Sequence, residues 1–132
     1  MTVFTDHVEL AGASGSGLAT DSTGTVLDGA FRTPLDRTRP ERYDEASATV
    51  NTSLSTVGSI DYDVTVENYT TGETIGSITG VTTELTGQFV PVDLGAVSDG
   101  DELGVSFVVN TATGTGGSTA DLGVTLTLDG TK

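Results

Sequence analysis

Polar and apolar residues alternate with a period of two along much of this chain. In "SIDYDVTVEN", Ile60, Tyr62, Val64 and Val66 fall on one side while Asp61, Asp63, Thr65 and Glu67 fall on the other. The pattern returns at Leu103, Val105, Phe107 and Val109, again at Leu122, Val124, Leu126 and Leu128, and more softly at Ala46, Ala48, Val50 and Leu54. Each run predicts a strand with one buried and one wet face. Weaker strands are expected near residues 3–10, 24–31, 73–79 and 88–94. Pro91 makes the last of these an edge or bulged strand, because proline cannot donate to a ladder. Between the strands, "NYTTGETI" and "GAVSDGDELG" carry turn glycines, with Gly100 suited to a positive φ.

Short strands at regular spacing, rich in stiff Thr and Val, predict an all-β fold. The expected architecture is a two-sheet β-sandwich of about eight antiparallel strands, jelly-roll or immunoglobulin-like. Residues 1–132 form one domain, long enough to bury a core without help. Two stretches of low complexity, residues 11–25 and 110–121, would be mobile unless the domain or its neighbours hold them.

Charge sharpens this picture. The chain carries 19 acids against 5 Lys and Arg, a net −14, and it has no cysteine for disulfides or thiolate metal sites. Twelve of the acids are Asp, and the only lysine is Lys132. Such a surface suits molar salt, where the Debye length falls to about 3 Å and carboxylates keep the protein hydrated. The same field opposes sequence-independent contact with a nucleic-acid backbone. The opening "MTVFTDHVEL" lacks the features of a secretory signal, and no apolar run approaches the roughly 18 residues of a membrane span. A soluble chain made in the cytoplasm, with no membrane partner, is expected.

The residues offer little reaction chemistry. His7 is the only histidine, and "GASGSG" is not a G-x-S-x-G elbow, since Ser16 stands where the second glycine belongs. "TATGTGGST" lacks the lysine and following helix of a phosphate cradle. Asp61 and Asp63 would project from one strand face about 6.5–7 Å apart, a spacing open to paired carboxylates, but no tryptophan offers a sugar platform. The sequence therefore predicts no enzyme. "SDGDE" places Asp99, Asp101 and Glu102 around a glycine turn, hard oxygens of the kind calcium prefers, although the spacing is too short for an EF-hand. The bland reading of that turn is a solvated acidic loop. Two N-x-S/T sequons, at Asn51 and Asn68, are expected by chance in so threonine-rich a chain.

Against the acidic background one segment stands out. Arg32, Arg37, Arg39 and Arg42 lie together in "FRTPLDRTRPERYDEAS", with two of the three prolines. Pro34 and Pro40 keep the segment from continuing a central ladder, so an extended arm or loop is expected over about residues 32–43. Arginine makes planar bidentate contacts with carboxylates, short-range enough to survive molar salt. Two readings compete. The arginines pair with acids of their own chain, among them Asp36, Glu41, Asp44 and Glu45, or they dock on an acidic neighbouring subunit. Nucleic acid is disfavoured by the net charge and by the scarcity of aromatics beyond Phe31 and Tyr43.

In composition and strand pattern the whole chain resembles the small all-β structural proteins of haloarchaeal viruses: decoration, turret, penton or tail components. That resemblance implies a non-catalytic virion protein, on the capsid surface, that forms a homo-oligomer and contacts neighbouring shell proteins. A rival from another class is an adhesin or carbohydrate-binding module that uses acidic loops and calcium.

Overall fold

The computed structural model describes the backbone of residues 5–34, 43–56, 58–98, 100–113 and 117–131. Side chains are described over 15–28 and 45–127, apart from Val57, Asp99 and residues 114–116. Eight strands follow one another: β1 (Thr5–Ala19), β2 (Gly24–Pro34), β3 (Tyr43–Ser55), β4 (Ile60–Asn68), β5 (Glu73–Val81), β6 (Gln88–Val92), β7 (Glu102–Ala112) and β8 (Thr119–Thr131). A 3-10 turn, Leu94–Ala96, interrupts the connection between β6 and β7.

The strands pair as a long hairpin would. β1 lies antiparallel to β8, β2 to β7, β3 to β6 and β4 to β5. Two further antiparallel pairings, β3 with β8 and β4 with β7, roll that hairpin into two four-stranded sheets of order β1-β8-β3-β6 and β2-β7-β4-β5. The β-sandwich is thus a jelly roll and not an immunoglobulin-like fold. Antiparallel sheets allow each strand one face in the core and one in water, which is why the alternation in sequence was readable.

The core lies between the sheets. β4 buries Ile60, Tyr62, Val64 and Val66, flanked in the same sheet by Leu103, Val105, Phe107 and Val109 of β7; β8 of the other sheet adds Ala120, Leu122, Val124 and Leu126. Tyr62 and Phe107, both fully buried, stack with centroids 4.7 Å apart and planes 9° from parallel. The Tyr62 phenol donates to the Thr83 carbonyl at 2.7 Å and meets Thr52 Oγ1 at 2.7 Å, while the Leu85 amide donates to that same Oγ1 at 2.8 Å. This chain of bonds lets polar Thr52 occupy an inward position, and it ties β3, β4 and the β5–β6 loop together. Burial raises the Tyr62 pKa; the Thr52 hydrogen bond opposes the rise and the nearby Glu84 charge adds to it.

Three departures from the sequence expectations have a common cause. β1 continues to Ala19 through the Gly/Ser stretch, because Ala11–Gly15 pair with Leu126–Leu122 and Leu18 with Ala120. β2 runs on to Pro34, which faces Glu102, so Arg32 is a strand residue and not part of a loop. Ser106 is buried on the outward side of β7 because Tyr69 and Asp28 close over it. Each depends on partners far away in sequence. Gly100 does take a positive φ, of 83°.

Candidate functional site

Strand direction sorts the connections into two ends. At one end lie the ends of β2 and β3 that flank the arginine-rich connection: Pro34 faces Glu102, and Tyr43 faces Gly130. Asn68 and Leu103, paired across β4 and β7, belong to this same end. At the other end are the β1–β2, β3–β4, β5–β6 and β7–β8 connections. Of the four arginines, Arg32 has its backbone in β2, whereas Arg37, Arg39 and Arg42 lie outside the described residues. The ends of the strands that hold the connection are therefore placed.

The outer face of the β2-β7-β4-β5 sheet is acidic and highly cross-linked. Asn110 Nδ2 donates to Asp61 Oδ1 at 3.0 Å and to Asp63 Oδ1 at 2.7 Å, and the Gly80 amide donates to Asp63 Oδ1 at 3.0 Å. One amide thus bridges the two carboxylates that the sequence had marked as a possible pair. Both carboxylates accept from the same Asn110 donor, which ties β4 to β7 across the outer face. Nearby, the Tyr69 and Ser106 hydroxyls both reach Asp28 Oδ1 at 3.0 Å and each other at 2.6 Å, joining β2, β7 and the β4–β5 turn.

Of the calcium candidates the structure describes two side chains, Asp101 and Glu102. Asp99 lies outside the described residues. Asp101 is buried, and its Oδ2 accepts from the Ser98 amide at 2.9 Å and from Asn68 Nδ2 at 2.8 Å. These two bonds, the Ser98 one first, hold its carboxyl below the usual range, and burial opposes them only weakly. Glu102 is exposed; its backbone amide donates to Thr70 Oγ1 at 2.9 Å and its carbonyl accepts from the Tyr69 amide at 2.8 Å. Asp101 closes the turn internally. Among the described residues no three His, Asp or Glu side chains stand together as metal ligands would.

Sequence reasoning missed Asn68, which is the hub of this end of the molecule. Its Nδ2 donates to Ala96 O (3.1 Å) and Asp101 Oδ2 (2.8 Å), and its Oδ1 accepts from the amides of Thr70 (3.1 Å) and Thr71 (3.3 Å). The position continues the inward register of β4, so a polar residue there signals a buried network. That was the available clue, and full burial also removes Asn68 as an acceptor for a glycan.

The described residues contain no helix long and apolar enough to cross a membrane. No protein-family model matches the chain, and no curated protein matches it. Among solved structures the chain is similar to one in the structure of infectious bursal disease virus Gx strain, at 12% identity and a TM-score of 0.41. All of this chain aligns there with 38% of the other.

Proposed function

We propose that this chain is a non-catalytic structural subunit of a virion, acting through contacts with its own copies and with neighbouring shell proteins. The observation that carries the reading is charge segregation on a rigid sandwich. Nearly all cations lie in or beside a connection anchored at one end, by Pro34 and Tyr43, while acids such as Asp61, Asp63, Glu84 and Asp121 are carried on the sheets and a loop. Arginines gathered in one connection, interleaved with Asp36, Glu41, Asp44 and Glu45, give an otherwise acidic chain one place to engage a neighbour's carboxylates, which favours contact in a defined orientation over aggregation. Eight-stranded jelly rolls build capsid domains as well as lectins, so the fold is compatible with the reading by analogy. The hydrogen bonds of Asp61, Asp63 and Asp101 tie strands and a turn together, which supports an architectural role for these carboxylates.

The finer reading is a capsid-surface decoration or stabilising protein of a halophilic archaeal virus. The Asp-rich, Lys-poor composition supports the halophilic part. Replacing Arg37, Arg39 and Arg42 together with Ser tests the assembly. The expected outcome is a folded monomer where the wild type associates in molar NaCl, measured by sedimentation and circular dichroism. A triple variant that assembles like the wild type refutes the reading, and one that fails to fold assigns the arginines to their own chain.

A further inference from the structure

On the outer face of the β1-β8-β3-β6 sheet, toward the end opposite the arginine-rich connection, lies a groove of about 460 Å3. Gly123 lines it, between inward Leu122 and Val124 and beside its register partner Asn51. Ser53, Glu84, Thr86 and Asp121 complete the polar walls. Both carboxylates are positioned by distant backbone. The Leu54 amide donates to Glu84 Oε1 at 2.9 Å, and the Gly17 amide donates to Asp121 Oδ1 at 2.8 Å. Asn51 Oδ1 is fixed likewise by the Gly87 amide at 2.7 Å. Each acid thus has one oxygen immobilised, and its second oxygen makes no hydrogen bond among the described residues.

Two exposed carboxylates, each held by one oxygen, in a groove without aromatic walls suit a planar cation with several donors, which is the chemistry of a guanidinium. The chain's own arginines cannot supply it from the same copy: Arg32 stands in β2 of the other sheet, next to Thr33 that pairs with Leu103 at the opposite end, and the remaining three fall short. Asn51 lies eight residues past Tyr43 along β3, roughly 27 Å at strand rise. Arg37 is three residues from Pro34, Arg39 four from Tyr43 and Arg42 one, so none extends more than about 14 Å from its nearer strand end. An arginine side chain does not span the difference.

Resting on the assembly proposed above, we infer that this groove receives the arginine-bearing β2–β3 connection of a second copy. The contact is head-to-tail: donor and acceptor surfaces are different and sit at opposite ends of one molecule. Such heterologous contacts propagate into a ring or an open filament, unlike a twofold dimer.

The test uses full-length chains with Glu84→Gln and Asp121→Asn combined, and separately Gly123→Thr. Gln and Asn keep the oxygen that each backbone amide needs, and Thr suits a strand while adding a side chain to the groove lining. Sedimentation in molar NaCl should show the self-association Kd raised about tenfold or more by either change, the scale of losing one charge-assisted contact. Mixing the Glu84→Gln/Asp121→Asn chain with the Arg37/Arg39/Arg42→Ser chain should restore dimers but nothing larger, since one intact arm and one intact groove remain. Groove variants that assemble normally while the arm variant does not overturn the groove and leave the assembly reading standing. Two folded, monomeric variants that fail to complement also overturn the groove. A monomeric wild type removes both proposals.

Discussion

Asn68 uses every hydrogen-bonding group it has, two donors and two acceptors, inside a site with no exposure. Asp101 is its charged partner, and this makes the turn at Ser98–Asp101 sensitive to acid. The folded-state pKa of Asp101 is lowered from 3.8. A depressed carboxyl contributes stability that is fully present above its unfolded pKa and is lost as pH falls through the folded value. Urea midpoints should therefore show the Asp101 contribution intact at pH 7 and 5 and fading below 3.8. Asp101→Asn keeps an oxygen for the Ser98 amide and for Asn68 but cannot ionise. Its stability should fall less than the wild type's between pH 5 and pH 3, and an equal fall in both proteins would remove Asp101 as the titrating group. From sequence, Asn68 read as a sequon and Asp101 as a metal ligand. Neither role was legible, because their partners stand 33 residues apart in the chain.

Strand by strand, alternation revealed which residues face inward. It could not reveal which strand lies beside which, since pairing β1 with β8 closes nearly the whole length of the chain. The Gly/Ser run of β1 was unreadable for the same reason: its order comes from the β8 ladder and not from local preference. Pro91 was legible as an edge residue, and β6 is indeed the edge of its sheet. The structure adds how that edge is closed. The Asp93 amide donates to Ile75 O at 2.8 Å, so β5 of the other sheet meets the open side of β6. N–H directions alternate along a strand, which turns the Pro91 position toward β5, where a donor is not needed. A Cβ on Gly76 would sit 2.6 Å from the Pro91 carbonyl oxygen, backbone that cannot rotate away. Gly76→Ala should force the two sheets apart at this corner and destabilise the fold by about 2 kcal/mol, as overpacking does. A denaturant midpoint unchanged from the wild type would mean that the corner yields freely. The residues of the candidate groove were equally hidden, for Glu84, Asp121 and Asn51 come together only through β3, β8 and the β5–β6 loop.

For the molecule as a whole, a net charge of −14 on 132 residues is the dominant long-range term. Asp61 and Asp63 share one face of β4, next-but-one neighbours about 6.6 Å apart along the strand. At 0.01 M salt the Debye length is about 30 Å and every such pair repels; at 1 M it is about 3 Å and adjacent carboxylates no longer feel each other. The unfolded chain spreads the same charges farther apart, so repulsion weighs on the folded state when salt is scarce. The melting temperature should consequently rise from 0.01 M to 1 M NaCl. Sulfate-type strengthening of apolar burial would also raise it, but that effect does not depend on particular carboxylates. Asp61→Asn with Asp63→Asn separates the two causes: amides retain an oxygen for Asn110 and Gly80 while removing two charges. If screening governs, the double variant melts higher than the wild type at 0.01 M and converges with it at 1 M. Parallel salt curves for the two proteins would instead assign the salt effect to hydration. The acidic faces would then serve solubility and docking without straining the fold.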